Sequence, residues 1–258
     1  MADDLLPVLM YHGLHADPAA RGVFDPVYSV DPTDFAQQLG WLALYGYRTV
    51  RLRDVGHQPR GSRCVVLSFD DGDISWIDTA LPLLRERRMV AEFFVTADYV
   101  GRPGMLSAED LHTLAQAGMG IQSHGLSHRY LDELSLEELE TELRTSKRRL
   151  EAMAGEPVSA LALPGGRGGE RELDAALKLG YVDLLNSEPG WNRGWTRGRY
   201  LQRLPITRGL TLDEFANLVA GRGVMPRAMQ ARYRALLWAK RVLGNRRYEE
   251  VRKRMLAQ

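Results

Sequence analysis

The feature that most constrains the fold of this chain is an alternation. Short apolar β-type runs are separated by helical patterns through most of its length. The candidate strands are Val8 to Tyr11, Tyr47 to Val50, Cys64 to Phe69, Ala91 to Val95, Gly120 to Ser123, Ala160 to Leu163, Tyr181 to Leu185 and Arg203 to Ile206. Strand-like runs that take turns with helices imply parallel strands joined by crossover helices. Eight of them suggest closure, so the expected class is α/β, a distorted (β/α) barrel of about seven to eight strands. A length of 258 residues suits one large domain or two small ones. One barrel over residues 1–224 is expected, followed by a helical appendage over 225–258.

The helix signals support this parsing. Asp31-Pro32 offers a cap with proline in the first turn, Ser107 precedes Glu109 and Asp110, and Ser135 with Glu138 forms a capping-box pattern. The last should open the longest helix, Leu136 to Met153, with Leu139, Leu143 and Leu150 on one stripe. Gly118, Gly155 and Gly180 stand where helices hand over to the next strand.

Composition excludes several classes. A net charge of +1 gives no bulk attraction to nucleic acid. The lone cysteine, Cys64, rules out an intramolecular disulfide and a cysteine-rich zinc site, and its apolar surroundings read as a buried strand. The opening Met-Ala-Asp-Asp-Leu-Leu-Pro lacks a basic, apolar leader pattern, and no long apolar run follows. A soluble, cytoplasmic protein is therefore expected. Residues 225–258 carry ten arginines and lysines against two glutamates on a helical pattern. That extension reads as a basic helix packed on the barrel, or as a peripheral contact with anionic lipid.

Two local patterns carry chemistry. In Ser68-Phe69-Asp70-Asp71-Gly72, adjacent carboxylates directly follow an apolar strand, and successive side chains of an extended chain face opposite ways. One acid could bind a metal and the other could move protons, although Asp-Asp-Gly is also an ordinary turn. In His124-Gly125-Leu126-Ser127-His128, two imidazoles four residues apart can meet one ion after a strand. An Asp and two His leave one coordination position for water, the mark of a catalytic zinc. Such an ion lowers the pKa of water to roughly 7 and polarises a carbonyl, which points to attack on an amide or ester.

With these motifs in order, the sequence resembles the polysaccharide deacetylase, or NodB-homology, family. The resemblance rests on Ser-Phe-Asp-Asp-Gly, on Ser-His-Gly-Leu-Ser-His, and on Leu-Met-Tyr-His near the start. Ala-Glu-Phe-Phe-Val lies between the motifs, and the whole spans about residues 5 to 220. It implies a distorted barrel with the metal at the carboxyl ends of the strands. It also orders the aspartates, which the residues alone leave open: Asp70 as general base, and Asp71 with His124 and His128 as metal ligands. Zinc is the first expectation, and nickel, cobalt, iron or manganese suit the same donors.

Two family features are missing. The third motif's arginine, which orients the base, is absent from Leu161-Ala162-Leu163-Pro164-Gly165-Gly166, and nearby Arg167 is the candidate substitute. No histidine follows His128, so His12 becomes the candidate general acid, with a structural histidine as the alternative. His15, His57 and His112 are expected to be exposed. Trp191 and Trp195, in a polar loop, are candidate sugar-stacking residues or plugs of the barrel mouth. The implied activity is hydrolysis of N-acetyl groups on amino sugars, a reaction on carbon–nitrogen bonds other than peptide bonds. The substrate would be a glycan or a lipid- or nucleotide-linked precursor of surface polysaccharide. The alternatives are another small or cyclic amide, or a degenerate sugar-binding scaffold.

Overall fold

The computed structural model describes residues 5–59, 61–193, 198–222, 229–231 and 233. In chain order its strands and α-helices are β1 (Leu5–Leu6), β2 (Val8–Tyr11), α1 (Pro32–Leu44), β3 (Arg48–Thr49), β4 (Cys64–Asp71), α2 (Leu81–Glu86), β5 (Glu92–Val95) and α3 (Ala108–Gln116). They continue with β6 (Gly120–Ser123), α4 (Leu136–Ala154), β7 (Ala160–Ala162), α5 (Glu170–Lys178), β8 (Asp183–Pro189), β9 (Asn192–Arg193), β10 (Tyr200–Pro205) and α6 (Leu212–Val219).

Seven parallel strands close into a ring in the order β2-β10-β8-β7-β6-β5-β4, and β4 returns to β2. This is the expected barrel. The run from Tyr47 to Val50 is the exception, because only Arg48–Thr49 pairs, and it pairs with the amino end of β4 outside the ring. The short antiparallel pair β1–β9 was not foreseen, since two-residue strands carry no periodicity to read.

Two apolar clusters follow from the period of two along the strands. Val65, Leu67, Phe69, Phe93, Val95 and Ile121 face the helices, and Val8, Val66, Phe94, Ala162, Leu185 and Leu201 form the second, smaller cluster inside the ring. Cys64 belongs to that inner cluster and is buried. The same parity aims Asp70, His124 and Arg203 inward, where all three are buried.

The helices begin where the caps predict. The Asp31 carboxylate accepts from Thr33 N at 2.8 Å, and Ser107 and Ser135 each form a reciprocal capping box. Each such cap contributes about 1 kcal/mol. Gly155 ends α4 in the left-handed region, φ 73°, which a side chain would resist. The buried face of α4 contains Leu139, Leu143 and Leu150 as expected, and also Glu142 and Ser146. Residues 225–258 lie outside the described residues apart from 229–231 and 233, and so does Trp195. Among the described residues no helix is long and apolar enough to cross a membrane.

Candidate metal centre and active site

The carboxyl ends of β4 and β6 lie close together because β5 pairs with both in register, Asp71 opposite Val95 and Val95 opposite Ser123. Asp70 keeps the inward parity of its strand. Asp71 does not continue the extended backbone: its φ is 90°, in the left-handed region, which turns its side chain toward the loop after β6. His128 is also left-handed, φ 64°. Non-glycine residues held there cost roughly 1–3 kcal/mol and collect at functional sites.

Asp71, His124 and His128 converge, with one donor atom from each lying within 4.8 Å of the others. Asp71 Oδ1 stands 3.5 Å from His124 Nε2 and 3.3 Å from His128 Nε2. Two ligands bound at about 2.1 Å to one tetrahedral zinc would sit about 3.4 Å apart. Asp71 Oδ1 is buried and has no hydrogen-bond partner. A shared cation would supply what that atom lacks, so the three residues fit a divalent metal.

The charge states suit ligation. Burial pushes His124 down to about 4 against the opposing pull of Asp70, so its imidazole is neutral at pH 7. Its Nδ1 lies 2.9 Å from the Ala162 carbonyl, which makes Nδ1–H the donor and leaves the Nε2 lone pair for a metal. Ala162 lies in the stretch that lacks the expected arginine, and it contributes through its backbone. Burial opposes ionisation of Asp71, but the close approach of His128, with His12 and His124 nearby, outweighs it and holds the carboxyl below the usual range.

Arg203 answers the question left by the third motif. Its Nη1 donates to Asp70 Oδ1 at 2.6 Å, and its Nε donates to the Asn186 carbonyl at 2.8 Å. The side chain is fully buried. Burial raises the Asp70 pKa, but the Arg203 guanidinium and His124 overcome it, leaving Asp70 below its ordinary value. The expectation that Arg167 takes this role is corrected. Its guanidinium is bound to Asp132 at 2.7 Å and to Glu133 at 3.2 Å, and it lies over the Tyr130 ring. The available signal for Arg203 was a strand run opening on an arginine, because a charge on a buried strand requires a partner.

The loop between the two histidines is clamped from α4. One Glu142 oxygen accepts from Leu126 N at 3.0 Å and Ser127 N at 2.6 Å, and the carboxylate also receives the Ser127 hydroxyl. One turn on, Ser146 Oγ donates to the Gly125 carbonyl at 2.9 Å. A leucine stripe predicts the face of α4 that is buried, but gives no sign that two polar residues on it hold a loop.

His12 sits at the end of β2 and lines the same cleft as Asp70 and Asp71. Its ring packs on Tyr28 at 4.6 Å, its carbonyl accepts from Trp76 Nε1 at 2.8 Å, and its buried Nδ1 has no hydrogen-bond partner. His57 and His112 are exposed as expected, but His15 is not. It is 1% exposed, with Nε2 at 3.1 Å from Asp73 and Nδ1 at 3.0 Å from Ser29, and it ties the loop after β2 to the turn after β4. Trp191 does not join the ligand cluster. Its Nε1 donates to the Leu218 carbonyl at 2.7 Å, its partly buried ring packs on the outer apolar cluster, and it is not among the residues lining the cleft beside Asp70 and Asp71.

The cleft lined by Asp70 and Asp71 has a volume of about 370 Å³ and is bounded by the loop carrying Val23, Asp25 and Tyr28 and by that carrying Tyr99, Arg102 and Met105.

The sequence model of the family described as polysaccharide deacetylase matches residues 57–183. The Bacillus subtilis (strain 168) protein YxkH, itself provisionally named a polysaccharide deacetylase, is 28% identical over 216 residues, which cover 81% of this chain and 74% of that one. A peptidoglycan-N-acetylglucosamine deacetylase of Bacillus cereus is 29% identical over 138 residues, 53% of this chain and 62% of its own. The crystal structure of BC0361, a polysaccharide deacetylase from Bacillus cereus, superposes with a TM-score of 0.76 at 25% identity, covering 84% of this chain and 69% of the other.

Proposed function

The chain belongs to the polysaccharide deacetylase family, and from that premise we propose that it is a metal-dependent hydrolase removing N-acetyl groups from amino sugars of a glycan or glycan precursor. The observation that carries this reading is a three-donor cluster, Asp71, His124 and His128, beside a buried carboxylate–guanidinium pair, Asp70 and Arg203, with both aspartates lining one cleft.

A divalent ion held by the three donors, zinc first among the candidates, supplies Lewis acidity that acidifies water and polarises the acetyl carbonyl. The protein's own groups do the rest. Asp70, kept ionised by Arg203 on Oδ1, accepts the proton of the attacking water on Oδ2. His12, at the end of β2, delivers a proton to the leaving nitrogen. Amide and water become amine and acetate. Arg203 pairs with Asp70 where the third motif lacks its arginine, which supports an active enzyme over a degenerate scaffold. Surface polysaccharide synthesis, with a lipid- or nucleotide-linked precursor, is the biological setting we propose.

The test is metal content together with acetate release from N-acetylglucosamine oligomers and lipid-linked precursors. The wild type should hold about one metal per chain and release acetate. Asp70→Asn should keep the metal and lose activity by roughly 10²–10⁴-fold, the usual contribution of a general base. His128→Ala should lose both. A protein that binds metal yet turns over none of these substrates would overturn the reading.

A further inference from the structure

The charges lining the cleft are almost all spent within the protein. Asp70 is paired with Arg203, and Asp73 accepts from Val23 N at 2.6 Å while facing His15. Asp71 belongs to the ligand cluster, and Asp25 Oδ1 receives the backbone N–H groups of Val27 and Tyr28 at 2.7 and 2.9 Å. Arg102 is different. Its exposed guanidinium lies 4.7 Å above the Tyr99 ring and, among the described residues, meets no carboxylate. The acid nearest in sequence, Asp98, is already bound by Arg149 at 2.6 Å.

The position of this arginine is set by aromatic stacking. Tyr99 stacks on the ligand His128, with centroids 5.9 Å apart and planes 25° from parallel. The sequence His128, Tyr99, Arg102 therefore holds a planar cation one aromatic ring away from His128, a member of the candidate ligand cluster. Stacking orients a guanidinium but leaves its N–H donors free, and those donors match carboxylate and phosphate oxygens. The cleft lies at the small end of ligand pockets, which span about 300–1,000 Å³, so a group on the same or the adjoining sugar falls beside this cation.

We propose that Arg102 is a specificity residue, and that the substrate is an anionic amino sugar carrying a phosphate or carboxylate next to the ring that bears the acetamide. This rests on the deacetylase reading and narrows its substrate class. Wild type, Arg102→Gln and Arg102→Lys should be compared on N-acetylglucosamine 1-phosphate, N-acetylmuramic acid and neutral N-acetylglucosamine, with kcat and KM from acetate release. The wild type should prefer one anionic substrate over the neutral sugar by about tenfold or more in kcat/KM. Which of the two it prefers identifies the anion. Arg102→Gln should bring that ratio to about one through KM, and Arg102→Lys should restore it more fully for phosphate, which accepts a point charge. A wild-type ratio near one, or equal losses on charged and neutral substrates, would overturn the proposal.

A second measurement separates this proposal from the activity itself. Calorimetric binding of N-acetylglucosamine 1-phosphate and of N-acetylmuramic acid to Asp70→Asn should show one of them tighter than N-acetylglucosamine. The preference should weaken with added salt and vanish when Arg102→Gln is added. Absence of turnover on every acetylated sugar would defeat the deacetylase reading, and this binding comparison would still decide whether Arg102 selects an anion.

Discussion

Arg203 and Asp70 form a buried pair whose halves cannot be removed separately at small cost. Taking away one partner leaves an uncompensated charge in the barrel, a loss of roughly 3–5 kcal/mol. The Asp70 pKa is lowered in the folded protein, so its charge stabilises the fold above the ordinary carboxylate range. That contribution disappears as the pH falls through the folded value. Arg203→Met removes the main charge opposing burial, so the Asp70 pKa should rise and the acid limb of the activity profile should move to higher pH, with metal content unchanged. A pH–rate profile and a metal assay check this, and an unmoved acid limb would mean that Asp70 is not the titrating base. His124 shows the same linkage with a different charge. Its value of about 4 lies below the ordinary 6.5, so metal-free protein should lose stability, roughly 3 kcal/mol in all, as the pH falls from about 6.5 to about 4. Urea titrations of the metal-free protein across that window should show a slope that His124→Gln lacks.

At the scale of elements, α4 both packs the barrel and shapes the candidate metal centre. Leu139, Leu143 and Leu150 are fully buried, each stabilising by roughly 1.5–3 kcal/mol. Glu142, on the same face, fixes the turn from His124 to His128 by accepting two backbone N–H groups and a hydroxyl. Partners that orient ligands without touching the ion typically change metal affinity by about 10–100-fold. Glu142→Ala should therefore weaken metal binding by that order, measured by competition with a chromophoric chelator, and Glu142→Gln, which retains an acceptor oxygen, should weaken it less. Unchanged affinity in the alanine variant would show that the turn holds its shape without α4. The helix itself was legible from its capping box and stripe, because both are local. The role of Glu142 was not, because the groups it receives lie fifteen and sixteen residues away on a loop.

Across the whole molecule, the ring closes when β2 pairs with β4 on one side and with β10 on the other. Its two apolar clusters are built of apolar side chains and include none of Asp71, His124 and His128, so metal removal should leave the far-ultraviolet spectrum intact. Adding metal back at a hundredfold excess over Kd should raise stability by about 3 kcal/mol, read as an increase of several degrees in Tm. Loss of secondary structure on chelation would show that the ion is part of the folding core. The sequence by itself determined the alternation of strand and helix, the caps, the opposite facing of the adjacent Asp70 and Asp71, and the donor types of the candidate metal centre. Each of these depends on residues within one or two turns of chain. Only the tertiary structure decided that Arg203 pairs with Asp70 from 133 residues away, that Asp71 turns toward the histidines, and that His15 is buried rather than exposed. The reason is physical: ring closure and packing choose the partners of a buried charge, and a linear pattern of residue types carries no distance between strands that are far apart in the chain.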